Sequence, residues 1–246
     1  MNYEVILLAA GQGKRMLTTR NKILLPLSEK PIIVYSLEVF LADPACQHLI
    51  LVVQEEEAEL MRVIIQQYLS TTRIKITIVV GGLERQDSVY QGLAAMSDPE
   101  AYVLVHDGAR PFVTPAILTA VCQQLPVKKA VIAGIPVKDT IKKTFGNQVV
   151  ETVSRSGLWQ IQTPQGFVGS ELKIAHQKAQ EAGFLGTDDA SLMEVFSQRV
   201  ITVVMGSDEN IKLTTPVDLI FAEGIANRRS QQASQEESDD SDWSRI

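Results

Sequence analysis

The chain alternates between short apolar runs and longer amphipathic stretches. The runs are "YEVILLAA" (3–10), "HLILVV" (48–53), "KITIVVGG" (75–82), "AYVLVHD" (101–107), "AVIAGIPV" (130–137) and "VITVVMG" (200–206). They are rich in Val and Ile without clear apolar/polar alternation, the pattern of strands covered on both faces. Between them, "PIIVYSLEVFLAD" opens on Pro31, a good first helical residue. "EEEAELMRVIIQQYL" sets acids in its first turn, where the helix dipole favours them. "TPAILTAVCQQL" offers Thr114 as an N-cap with Pro115 just inside it. Strand and helix alternate to residue 137, which predicts an α/β domain with a mostly parallel, doubly covered sheet.

The rhythm breaks over 138–163. That stretch holds β-prone pieces on either side of Gly146-Asn147 and no helical pattern, so it reads as a protruding two-stranded ribbon. An isolated ribbon is marginal in water and needs a cover, of which a second subunit is the simplest. Helices are expected at about 170–182 and 188–198, and again after "TTPVD". There is no internal repeat. The expected organisation is one domain over 1–229 with an arm at about 138–163, then a disordered acidic tail over 230–246.

Charge and composition narrow the classes. The net charge is −6, and from Ser230 onward five acids (Glu236, Glu237, Asp239, Asp240, Asp242) against Arg245 carry −4 of it, leaving −2 for residues 1–229. No basic face for nucleic acid is expected. No apolar run approaches the roughly 18 residues of a membrane helix, and the start has no signal-peptide pattern. A cytoplasmic protein is expected, or a plastid one after loss of a transit peptide. Cys46 and Cys122 lie far apart without metal-ligand spacing and read as small buried hydrophobes.

The candidate chemistry begins at "LLAAGQGKRM" (7–16). A Walker loop needs Gly five residues before the Gly-Lys pair and Ser or Thr after it; here Leu8 and Arg15 stand there. A dinucleotide fingerprint needs a third glycine where Met16 stands, and an acid ending the second strand, where "LVVQ" has none. What remains is a glycine loop with Lys14, Arg15 and, nearby, Lys22, able to hold a polyphosphate by backbone amides and cations. Other strand ends agree. "GGLERQDSV" brings Gly81, Gly82, Arg85, Asp87 and Ser88, although Asp87 and Ser88 could equally cap a helix. "HDGARP" brings Asp107, suited to Mg²⁺ on a polyphosphate, and Arg110, placed to meet an anion. "GSDENIKLT" adds acids beside Lys212. In open α/β sheets ligands gather at such carboxyl ends. His106 reads as a strand-end histidine with one satisfied hydrogen bond, His48 and His176 as surface or loop residues, and Trp159 as a packing anchor.

These segments, in order with "NKILLPLSEKPI", "KDT", "ETVSRSGLWQIQTPQGF" and "TDDASL", resemble the 2-C-methyl-D-erythritol 4-phosphate cytidylyltransferase family, within the wider sugar nucleotidyltransferases that share "GxGxRM". The likeness spans about residues 3–225 and implies a Rossmann-like nucleotidyltransferase fold. It implies attack of methylerythritol phosphate on the α-phosphorus of CTP, with pyrophosphate leaving and Mg²⁺ or another divalent cation assisting. It assigns Arg15 and Lys22 to catalysis, and Ala9, Ala10, Gly11, Gly13, Gly82, Asp87, Ser88 and Gly108 to CTP. Arg110, Thr140, Arg155, Thr187 and Lys212 fall to the acceptor, with Thr140 and Arg155 reaching a neighbouring subunit's site from the arm of a homodimer. Asp107 falls to the metal, with Asp208 as second candidate. Leu8 and Ile23 stand where family members often carry Pro and Gln. Ribitol-5-phosphate cytidylyltransferase, which shares most of the CTP site, is the alternative; a non-catalytic nucleotide sensor is a more remote one.

Overall fold

A computed structural model describes residues 1–11 and 21–243, the side chains at 233, 234 and 236–243 excepted. Its centre is a seven-stranded sheet built from β1 (Tyr3–Leu8), β4 (Cys46–Val53), β5 (Lys75–Val80), β6 (Tyr102–Asp107), β7 (Ala130–Pro136), β10 (Trp159–Val168) and β11 (Thr202–Met205). The order is β11-β7-β10-β6-β1-β4-β5. All pairings are parallel except those of β10, which runs antiparallel to both neighbours. Two short strands, β2 (Pro26–Leu27) and β3 (Lys30–Pro31), form a separate hairpin.

Successive side chains of a strand face opposite layers, and the apolar runs fill both. Val5, Leu7, Leu49 and Leu51 pack with α1 (Ile32–Ala42), α2 (Ala58–Leu69) and α4 (Pro115–Lys128). Ile6, Ile50, Val52 and Val105 pack with α3 (Arg85–Ala94), α5 (Gly169–Glu181) and α6 (Asp189–Phe196). Each fully buried Ile or Leu contributes roughly 1.5–3 kcal/mol, so the unbroken apolar runs secure the sheet from both sides. The Thr114 cap forms as its sequence predicts, the side chain accepting from the Ile117 N–H.

The ribbon closes at Gly146-Asn147 between β8 (Ile141–Phe145) and β9 (Gln148–Val153). Its apolar side chains are open: Phe145 is 84% exposed, Val149 and Val150 61% each. The ribbon is shorter than expected, because Trp159 onward belongs to β10 inside the main sheet. Pro164 and the polar run Gln160–Gln165 disguise that strand. Proline cannot donate to a ladder, and the register of β10 against β7 indeed breaks between Ile161 and Gln165.

The last helix, α7 (Pro216–Trp243), packs Ala222 and Ala226 with Leu27, Phe112 and Leu213. It runs past Ser230 to Trp243, since a helix anchored at one end propagates at one hydrogen bond per residue. No described helix is long and apolar enough to cross a membrane.

Candidate active site

Four parallel strands end around one cleft of about 740 Å³. Residues 8–11 after β1, Val53 and Gln54 after β4, Val80–Leu83 after β5 and Asp107 closing β6 line it, with Lys22 and Lys212 at its rim. The loops are held by the backbone. Ala9 N–H donates to Val52 O (2.7 Å), Gly81 N–H to Val53 O (2.8 Å) and Gly108 N–H to Leu8 O (2.9 Å). Asn21, buried beneath Lys22, donates to Ala9 O (2.7 Å) and Glu57 Oε2 (2.8 Å), fixing the exit of the glycine loop.

Asp107 sits at the centre. Its Oδ1 accepts from Arg85 Nε (3.2 Å) and its Oδ2 lies 2.7 Å from Lys212 Nζ. Burial alone would raise its pKa, but Arg85 and Lys212 outweigh that and hold it well below the usual carboxylate range. Burial of the Arg85 guanidinium is more than offset by Asp189 and Asp107, which keep it charged. Thr163 on β10 accepts from the Asp107 N–H (3.1 Å). Its hydroxyl also lies 3.0 Å from His106 Nδ1, while His106 Nε2 faces Arg110 O at 3.1 Å. A carbonyl only accepts, so His106 carries its proton on Nε2 and Nδ1 accepts from Thr163. Burial pushes its pKa down to about 4, so it is neutral and bonded at both nitrogens, one more than its sequence suggested. His48 and His176 are not surface residues. Each is 2% exposed, His48 joining Glu4 (2.7 Å) and Thr77 (2.8 Å), His176 facing Asp189.

Of the residues expected to act, Ala9, Ala10, Gly11, Lys22, Gly82, Ser88, Asp107 and Lys212 line the cleft. Gly13 and Arg15, with Lys14, lie outside the described residues. Ser88 Oγ accepts from Gly82 N–H and donates to Glu84 O, each at 3.1 Å. Asp87 instead caps α3, accepting from the Glu84 N–H at 3.1 Å. Gly82 is glycine partly for this reason, since a Cβ there would fall 2.3 Å from Asp87 Cβ. Gly108 is a close-approach glycine: its Cβ would meet Ile33 Cδ1 at 2.6 Å and Leu8 O at 2.8 Å. Arg110 is not among the lining residues and donates to Asn210 O (2.7 Å), two residues before Lys212.

Thr140, Arg155 and Thr187 are exposed and do not line this chain's cleft. Arg155 donates to Lys138 O at the base of the arm. Asp208 pairs there with Lys138 (2.6 Å), and stands 63% exposed away from Asp107. The described residues hold no cluster of three or more metal-ligating side chains. A lone carboxylate such as that of Asp107 would need phosphate oxygens and waters to complete the coordination of Mg²⁺.

β10 wires the surrounding loops together. Gln162 Nε2 donates to Ser207 O (2.8 Å), and its Oε1 accepts from Asn210 Nδ2 (3.2 Å) two residues before Lys212. Gln165 donates to Asp188 Oδ2 (2.8 Å) and accepts from the Ala190 N–H (3.1 Å) at the start of α6.

The chain matches known proteins over nearly its whole length. A family model described as IspD, 2-C-methyl-D-erythritol 4-phosphate cytidylyltransferase, matches residues 3–228. The chain belongs to the 2-C-methyl-D-erythritol 4-phosphate cytidylyltransferase family. It is 49% identical over 230 residues to the cytidylyltransferase of that name from Bacillus velezensis, covering 94% of this chain and 98% of that one. The Bacillus cytotoxicus cytidylyltransferase is 50% identical over 223 residues, 91% of this chain and 97% of its own. Among solved structures, the 4-diphosphocytidyl-2C-methyl-D-erythritol synthase of Anaerococcus prevotii superposes with a TM-score of 0.81 at 29% identity, covering 92% and 98% of the two chains. Membership in the 2-C-methyl-D-erythritol 4-phosphate cytidylyltransferase family makes the chain a nucleotidyltransferase of isoprenoid biosynthesis.

Proposed function

We propose that the cleft holds CTP and that the chain transfers CMP from it to 2-C-methyl-D-erythritol 4-phosphate, giving 4-diphosphocytidyl-2-C-methyl-D-erythritol and pyrophosphate. The observation that carries the reading is the convergence of Lys22, Arg85 and Lys212 on one cleft with Asp107 between the last two. Two polyanions must meet there, and their mutual repulsion is the main obstacle to reaction.

The acceptor's phosphate monoester has a second pKa of about 6 and is largely dianionic at neutral pH. Its oxygen can attack the α-phosphorus without a general base, so the chain's contribution is positioning and charge stabilisation in an in-line displacement. Lys22, with Arg15, balances the charge growing on the five-coordinate phosphorus and the departing pyrophosphate. Lys212 and Arg85 orient Asp107 and meet the phosphates. Gly82 and Ser88 read cytosine, where leaving a buried polar group unpaired costs about 1–3 kcal/mol and disfavours uracil. Asp107 would hold Mg²⁺ or another divalent cation, which supplies neutralisation of the triphosphate. The acceptor lies against Arg110, Thr187 and Lys212, and a partner's arm closes over it with Thr140 and Arg155. The exposed apolar ribbon, and the absence of these arm residues from the lining of their own chain's cleft, support a homodimer.

The test is pyrophosphate release with each of the four nucleoside triphosphates against methylerythritol phosphate and ribitol 5-phosphate. Release is expected with CTP and methylerythritol phosphate, and EDTA should stop it without shifting the melting temperature. Release only with ribitol 5-phosphate would replace the acceptor; none with any pair would leave a nucleotide sensor. Arg155→Ala should raise the KM for methylerythritol phosphate and spare that for CTP, and equal damage to both would refute its placement.

A further inference from the structure

Behind the cleft lies a buried carboxylate that the reaction as described leaves without a task. Asp189 is 1% exposed and stands at the first position of α6. The helix does not need it there, because its neighbour Asp188 fills the cap, accepting from the Ser191 N–H at 2.9 Å. Burying a carboxylate is costly unless it is paired. Asp189 is paired twice: Oδ2 lies 2.8 Å from Arg85 Nη2, and Oδ1 lies 3.3 Å from His176 Nε2. A carboxylate only accepts, so the His176 proton is on Nε2; its Nδ1 is buried with no hydrogen-bond partner among the described residues. Burial would raise the Asp189 pKa, yet Arg85 and His176 hold it below the ordinary value. A continuous line of contacts therefore runs from α5 through α6 to the first residue of α3 and on to Asp107.

Arg85 is the link in that line which reaches the cleft. Its guanidinium is a rigid planar fork whose Nε meets Asp107 and whose Nη2 meets Asp189, so two carboxylates together restrict where it can lie. We infer that Asp189, held by His176, is a positioning residue that anchors the Arg85 guanidinium and presents it, with Asp107, to the phosphates of the nucleotide. This rests on the reading of the cleft as a CTP site. Asp107 alone would leave Arg85 free to swing about a single contact, and Lys212 competes for the same carboxylate.

The experiment is a double-mutant cycle on the full chain, with Asp189→Asn and Arg85→Ala alone and together. Binding of CTP with magnesium is measured by calorimetry without acceptor, and steady-state pyrophosphate release with both substrates. Losing the buried ion pair with Arg85 predicts that Asp189→Asn weakens CTP binding about ten- to a hundredfold, with the KM for methylerythritol phosphate unchanged. In the Arg85→Ala background the same substitution should add less than about threefold, because its object is already gone. His176→Gln, which keeps an N–H for Asp189, should stay near wild type, while His176→Phe should follow Asp189→Asn and serves as the second probe should the latter not fold. Equal effects in both Arg85 backgrounds, or a loss that falls alike on both substrates, would show a merely structural residue and overturn the inference. If the wild type binds CTP but transfers it to neither acceptor, the acceptor assignment falls while the calorimetric cycle still decides for or against Asp189. A wild type that does not bind CTP sinks the cleft reading and this inference together.

Discussion

Asp87 and Ser88 are neighbours on the first turn of α3 with different fates. The Ser88 hydroxyl faces the cleft and ties Gly82 to the helix, whereas Asp87 spends its carboxylate on the helix cap. Spacing alone could not separate them, since capping and ligand binding favour the same residue types at a helix start. Asp107 was more legible: an acid closing an apolar strand has few structural uses. Cys46 follows its reading as a buried hydrophobe, whereas Cys122 is only half-buried, and Cys46 carries a consequence for alkaline stability. Burial, aided by Asp43, pushes its thiol up to about 12 from 9.0. A pKa raised in the folded state gives stability that is complete below the unfolded value and is lost as pH rises through it. Tyr3, bonded to Asp43 at 2.8 Å and also shifted upward by burial, acts in the same direction. Between about pH 9 and pH 11 the loss from Cys46 should reach about 2–3 kcal/mol. Thermal melts should therefore fall more steeply over this range for the wild type than for Cys46→Ala, and parallel curves would contradict the assignment. Iodoacetamide at about pH 8 should leave Cys46 unmodified in the native chain.

Among the elements, the strands and helices with apolar runs or clear caps were readable, and β10 was not. A central strand is expected to be rich in Val and Ile, but this one carries Gln162, Thr163 and Gln165 at 5%, 4% and 1% exposure. Gln162 is satisfied by the loop before Lys212, Thr163 by the end of β6 and Gln165 by the start of α6, a compensation that only tertiary structure reveals. The same holds for His48 and His176, whose burial depends on partners that are remote in sequence. The ribbon, by contrast, was evident from Gly146-Asn147 and its β-prone flanks, because a hairpin is a local object. Gln165→Leu tests the wiring. It would leave the Asp188 oxygen and the Ala190 N–H without their partner at the start of α6, at a cost of about 2–4 kcal/mol. Chemical denaturation should show that loss with an unchanged slope. The KM for CTP should also rise, because Asp189 sits between these two residues and carries the contact to Arg85. A fully tolerated leucine would mean that the loop is held by other contacts.

At the scale of the whole molecule, the question is which body each arm serves. The exposed residues of the ribbon, with Thr140 and Arg155 at its base, do not line the cleft that holds Lys22 and Asp107 in the same chain. An arm acting on its own body would have to fold back; an arm acting on a twofold partner completes two sites by one operation. The two arrangements differ in a mixing experiment. Lys22→Ala and Arg155→Ala proteins should each be severely impaired as homodimers. When the two are unfolded together and refolded at equal amounts, half of the dimers are mixed by random pairing. In a mixed dimer, one cleft has lost both its own Lys22 and the arriving Arg155. The other combines an intact Lys22 with an intact Arg155 from the Lys22→Ala chain. Activity should therefore return to about a quarter of the wild-type value per protomer. If each arm served its own cleft, every site in every dimer would carry one lesion, and mixing would restore nothing.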